Sequence, residues 1–91
     1  MSLSKFSEKF VLNKLKLIKN GNLKLVNYDG KVFYFGDLEN PFTAEIKIIN
    51  PKFYLNIILG GSSALGEAYI NKDFYSKNLT NLIELTARNI K

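Results

Sequence analysis

Ninety-one residues, 46% of them hydrophobic and including seven Phe and five Tyr, suffice for one domain with a modest core. With no His and no Cys, the chain lacks the residues of disulfides, of His- or Cys-ligated metal sites and of the commonest acid–base and thiol chemistry. The net charge of +5 rests on Lys, with Arg88 the one arginine; Arg forks and stacking motifs are missing, so no nucleic-acid partner is expected.

No apolar run approaches the roughly 20 residues of a membrane span, and the N-terminus has no signal-peptide stretch, so a cytoplasmic protein is expected. Met1, Ser2 and Leu3 are set aside as a remnant of expression. The spacing predicts a first helix over Phe6 to Lys19, with Phe6, Phe10, Val11, Leu15, Leu17 and Ile18 in a broad apolar arc. Lys5, Lys9, Lys16 and Lys19 gather on the opposite side. Two uses of that lysine face stay open: a solvated surface behind a core helix, or peripheral contact with an anionic phospholipid membrane.

Gly21 closes the helix, and Asn22 to Asn27 alternates through Leu23 and Leu25. Asp29-Gly30 signals a tight turn into the short apolar strand Val32 to Phe35, giving a hairpin. Because that strand is apolar on both pleated faces, it is expected to be covered on both sides or to face a cavity on one, full burial being the commoner case. A polar loop with Pro41 precedes Ala44 to Ile49, where Ala44, Ile46 and Ile48 alternate with Glu45 and Lys47. The fold class is therefore α+β, a small antiparallel sheet of about three strands packed with helices.

The stretch from Asn50 to Asn71 is the most distinctive. Asn50 suits an N-cap and Pro51 the first helical position; Phe53, Tyr54, Ile57 and Ile58 share one face, and Gly60 and Gly61 end the segment. Leu65, Ala68 and Tyr69 keep a helical spacing interrupted by Gly66 and Glu67. A glycine at such a place marks a close backbone approach, and an internal packing role for Gly66 is expected ahead of an interdomain one. Glu67 reads either as a first-turn acid favoured by the helix dipole or as an anchor for a loop or partner domain. Asn78 caps a last helix to about Arg88, with Leu79, Leu82, Ile83 and Thr86 on one face; Asn78-Leu79-Thr80 matches a glycosylation sequon, but without a secretion signal the cap is the better reading.

The run G-G-x-x-x-L-G-E-A-Y from Gly60 to Tyr69, after G-x-L-x-L at Gly21 to Leu25, the Asp29-Gly30 turn and Phe35-Gly36, resembles the N-terminal region of the cyclopropane-fatty-acyl-phospholipid synthase family. Ser63 and Ala64 stand where that family tends to have Leu and Gly, and Lys72 and Phe74 where it tends to have Gly and Trp. The resemblance implies a sterol-carrier-like, lipid-associated N-terminal domain over residues 1–91. It also implies a partner, a C-terminal methyltransferase domain that would hold the S-adenosylmethionine cofactor; this chain itself should carry no cofactor, no metal and no catalytic residue. Gly60, Gly61, Leu65, Gly66, Glu67, Ala68 and Tyr69 would serve domain packing or interdomain contact. A free-standing lipid-binding module is the alternative, a basic nucleic-acid-binding domain is the less favoured one, and homo-oligomerisation stays open. Gly60, Gly61 and Gly66 do not form a phosphate-binding G-x-G-x-x-G, and the eight acids show no paired-carboxylate pattern.

Overall fold

The first helix begins earlier than its periodicity predicts. In the computed structural model, which describes residues 2–61 and 63–89, α1 spans Leu3–Leu15 and its N-cap is Ser2, whose hydroxyl accepts the Lys5 N–H at 3.2 Å. Ser2 and Leu3 are thus structural residues. The helix also ends earlier, because Leu17 and Ile18 donate to Lys14 and Leu15 three residues back, and Asn20 (φ 62°) and Gly21 (φ 148°) then redirect the chain. Lys19 lies beyond the helix.

β1 (Asn22–Val26) and β2 (Val32–Gly36) form the expected hairpin. Its loop, Tyr28 to Gly30, is closed by the Asn27 N–H to the Lys31 carbonyl at 2.8 Å, with Gly30 at φ 89°. β3 (Thr43–Ile48) pairs with the other side of β1, in parallel, and β4 (Phe74–Tyr75) pairs antiparallel with β3. The sheet is mixed and four-stranded, in the order β2-β1-β3-β4, where three antiparallel strands are expected from the sequence. β2 and β3 run antiparallel to each other but are held apart by β1, so the link from Asp37 to Phe42 must cross the end of β1. Asn22 fixes that crossing: its side-chain amide donates to the carbonyls of Asp37 (2.9 Å) and Asn40 (3.0 Å), and its N–H to that of Phe42 (3.1 Å). A two-residue strand such as β4 leaves no periodicity to find.

Leu23, Leu25, Phe35, Ala44, Ile46 and Ile48 are buried on one sheet face, while Val32, Tyr34, Lys47 and Tyr75 point the other way into solvent. β2 is therefore an edge strand covered on one side, contrary to the two-sided burial its composition suggests; Val32 and Tyr34 are 47% and 59% exposed. The covered face carries α2 (Lys52–Gly60), α3 (Ser63–Ile70) and α4 (Leu79–Asn89) together with α1, giving a two-layer α+β fold. α2 begins one residue later than its sequence signals, yet the Asn50 side chain does cap it, accepting the Lys52 N–H at 2.9 Å. Gly61, at φ 63°, terminates it. The Asn78 side chain accepts the Asn81 N–H at 3.1 Å to open α4, whose Leu82 and Leu85 are buried while Ile83 is exposed.

Tyr54 of α2 is fully buried and its hydroxyl donates to the side-chain oxygen of Asn27, whose amide donates in turn to Glu8 of α1 at 3.0 Å. Tyr28 donates to the other carboxylate oxygen of Glu8. This relay joins α1, α2 and the hairpin, and it leaves none of its buried polar atoms unsatisfied.

Candidate ligand-binding cavity

α1 packs against α2, and α4 against β3, but among the described residues α1 and α4 do not pack along each other. The turn that follows α1 is tied to α4 through Asn89, whose side chain accepts the Lys19 N–H (2.7 Å) and donates to the Lys19 carbonyl (2.9 Å). The space the two helices leave is a cavity of about 690 Å³. Its floor is Leu23, Leu25 and Ile46 of the sheet; α1 contributes Phe10, Val11 and Leu15, and α4 contributes Leu82, Leu85 and Thr86. Phe53, Ile57 and Ile58 of α2 close the far side with Leu65 of α3. Sites for small organic ligands run from about 300 to 1,000 Å³, so the volume is of that size; it opens to solvent, and its floor and inner walls (Leu23, Leu25, Ile46, Phe53, Leu82 and Leu85) are buried core residues.

The lining offers little to a polar ligand. The Thr86 hydroxyl donates to the Leu82 carbonyl at 2.9 Å, and the Asn89 side chain is engaged by Lys19 and Leu85. Lys14 is the single charged side chain among the lining residues, and its ammonium sits 5.7 Å from the Phe10 ring centroid. Such a lining favours apolar over polar surface, with Lys14 the one cation at its border.

Of the residues singled out in the sequence, Gly61 and Leu65 reach this cavity. Ala68 is buried in the core, and the Tyr69 ring lies 5.9 Å from that of Phe74 although half of Tyr69 is exposed. Gly60 has the close approach: a Cβ there would stand 2.7 Å from that of Ala64. Gly66 has none, since an added Cβ would meet nothing within 4 Å, which overturns its expected internal packing role. Glu67 is the fifth residue of α3, so it is not the first-turn acid its position suggested, and among the described residues no N–H donates to its carboxylate. Leu59, Gly66, Glu67 and Ile70 are exposed, and Leu59 and Glu67 border one shallow hollow with Gly60 and Ala64.

Lys5, Lys9 and Lys16 border a smaller hollow of about 380 Å³ between α1 and the Phe33 and Phe35 rings of β2. Lys5 also donates to the Tyr28 hydroxyl at 3.4 Å, and that bond raises its pKa. The hydrogen bond to Glu8, followed by burial, pushes the Tyr28 pKa up, and burial alone dominates the rise at Tyr54. Lys19 stands apart from this group, its backbone held by Asn89. The cavity walls on α2 and α4 were legible in the sequence only as core faces, because an apolar side chain facing a void has the same spacing as one facing a neighbour. Among the described residues, no cluster of His, Cys, Asp or Glu could hold a metal ion.

Fold and cavity together define a small two-layer α+β domain with a large apolar site and no helix, among the described residues, long and apolar enough to cross a membrane. Compared with family models, curated proteins and solved structures, the chain finds no match in any of the three.

Proposed function

We propose that this chain is the non-catalytic, lipid-handling N-terminal domain of a cyclopropane-fatty-acyl-phospholipid-synthase-like, S-adenosylmethionine-dependent methyltransferase. It holds a phospholipid acyl chain in the cavity and helps present it to its own C-terminal methyltransferase domain. The observation that carries the lipid-handling part is the 690 Å³ apolar cavity, with Lys14 its one lining charge. The motif from Gly60 to Tyr69 carries the family part, and the open surface over Gly66 supports an interdomain use of that motif, since a partner's backbone can approach a residue without a side chain. A sterol-carrier likeness belongs to the same proposal.

Displacement of a fluorescent fatty acid by oleate from the delipidated domain tests the cavity. Binding is expected in the micromolar range and should be lost in Leu65→Trp, whose indole would enter the cavity from α3. Unchanged affinity in that variant would place the ligand elsewhere. S-adenosylmethionine should give no heat of binding with this chain alone, and micromolar binding would refute a cofactor site confined to the catalytic domain. A free-standing lipid-binding module is the second reading, resting on the same apolar cavity. Methyl transfer by a longer natural product of the same gene, lost on deleting residues 1–91, would exclude it.

A further inference from the structure

α1 has two apolar faces, and the core uses one of them. Val11 is buried, and Leu12, Leu15 and Ile18 pack against the core. Leu3, Phe6, Phe10 and, just past the helix end, Leu17 follow one another at intervals of three, four and seven residues, which aligns them on a single line of the helix. All four are exposed, Leu3 and Leu17 by more than 60%. A single exposed leucine on a surface means nothing, but four large apolar side chains in one row mark a surface that is covered in use.

We infer that this stripe docks the domain on an anionic phospholipid bilayer, with α1 lying in the interface and the cavity mouth facing the acyl chains. Three observations converge on that occupant. Lys9 and Lys16 flank the stripe on one side and Lys14 on the other, with Lys5 behind, all exposed. Glu8, the only acid of α1, is turned inward, engaged by Asn27 and Tyr28 and 4.0 Å from the Lys5 ammonium, so α1 itself sets no free carboxylate against an anionic surface. Phe10 and Leu17 belong both to the stripe and to the cavity lining, so whatever covers the stripe also meets the cavity. Lysines at phosphate level with Phe and Leu sunk into the acyl boundary is how basic amphipathic helices lie on membranes. A second copy of this chain fits worse, because it would bring two lysine rows together with no acid between them.

The inference rests on the acyl-chain reading only for what enters the cavity, and the two can fail separately. The chain contains no Trp, so a single Trp reports depth. With phosphatidylglycerol vesicles, Phe6→Trp and Phe10→Trp should shift to the blue and be quenched by lipids brominated along the acyl chain, while Tyr34→Trp on the open sheet face should not. Phosphatidylcholine vesicles should bind weakly. Phe6→Ser with Phe10→Ser should weaken sedimentation with phosphatidylglycerol vesicles by at least about tenfold, given the apolar area withdrawn. Exchanging Lys5, Lys9, Lys14 and Lys16 for Gln should weaken it too and remove its salt dependence. Leu65→Trp, blind to oleate, should still sediment. Equal quenching at all three Trp positions, unchanged sedimentation of the serine variant, or a vesicle-free dimer that Phe10→Ser dissolves would each overturn the inference.

Discussion

Gly36 and Gly66 look alike in the sequence and have opposite roles. At Gly36, φ is 89° and an added Cβ would run into the Gly21 carbonyl oxygen, a backbone atom that cannot move aside. Gly36→Ala should therefore cost at least about 2 kcal/mol, lowering the thermal midpoint by roughly 10 °C for a domain of this size. Gly66 lies inside α3 with open space above it, so Gly66→Ala should stabilise by about 0.5–1 kcal/mol through helix propensity alone. A lowered midpoint would show that the isolated domain already packs something there. Tyr54 gives a pH dependence whose sign follows from its raised pKa. The folded state keeps the phenolic proton while the unfolded tyrosine releases it near 10, so this contribution is complete below pH 10 and is lost as pH rises above it. Urea unfolding should weaken by up to about 1.4 kcal/mol per pH unit for this group above pH 10. Tyr54→Phe should flatten that slope while costing about 1–3 kcal/mol at pH 7, because the Asn27 oxygen loses its donor.

Helices and strands were legible wherever a side-chain period was long enough to read, which is why the α1 region, the hairpin, β3, α2 and α4 all stand near their expected positions. Ends were less so. The α1 N-cap rests on Ser2, in a segment that carries no periodic signal, and its C-terminal end is set by Asn20 and Gly21 turning toward α4. α4 holds that turn from outside. Asn89 brackets the Lys19 peptide, and Arg88 donates to the Asn20 carbonyl at 2.8 Å while its guanidinium lies 3.9 Å from the Phe42 ring centroid. Asn89→Ala should cost about 1–2 kcal/mol and speed hydrogen exchange at the Lys19 amide, with the Leu23 and Leu25 amides little changed. Uniform loss of protection across β1 would show instead that α4 supports the whole sheet through this contact. The apolar arc of α1 also divides in the structure: periodicity places Phe6 and Phe10 with Val11 and Leu15 on a broad surface, and only the arrangement of α2 and the sheet decides which part is covered.

At the level of the whole domain, the cavity is the feature to test for its cost. A void lined by Leu, Ile and Phe lacks the contacts that a filled core would make, so Leu65→Trp should leave the ligand-free domain as stable or more stable while abolishing the rise in midpoint that oleate produces in the wild type. A midpoint still raised by oleate in that variant would separate lipid binding from the cavity. The chain's local chemistry, in caps such as Asn50 and Asn78, turns such as Asp29-Gly30 and alternation in β1 and β3, was enough to specify the elements and the α+β class, because each depends on residues a few positions apart. Strand order, the open outer face of β2, the exposed setting of Gly66 and the cavity itself depend on which elements come to lie side by side. Asn22 shows the reason: its amide fixes the crossing that sends β3 to the far side of β1, through partners 15 and 18 residues away whose significance appears only once the chain has closed around them.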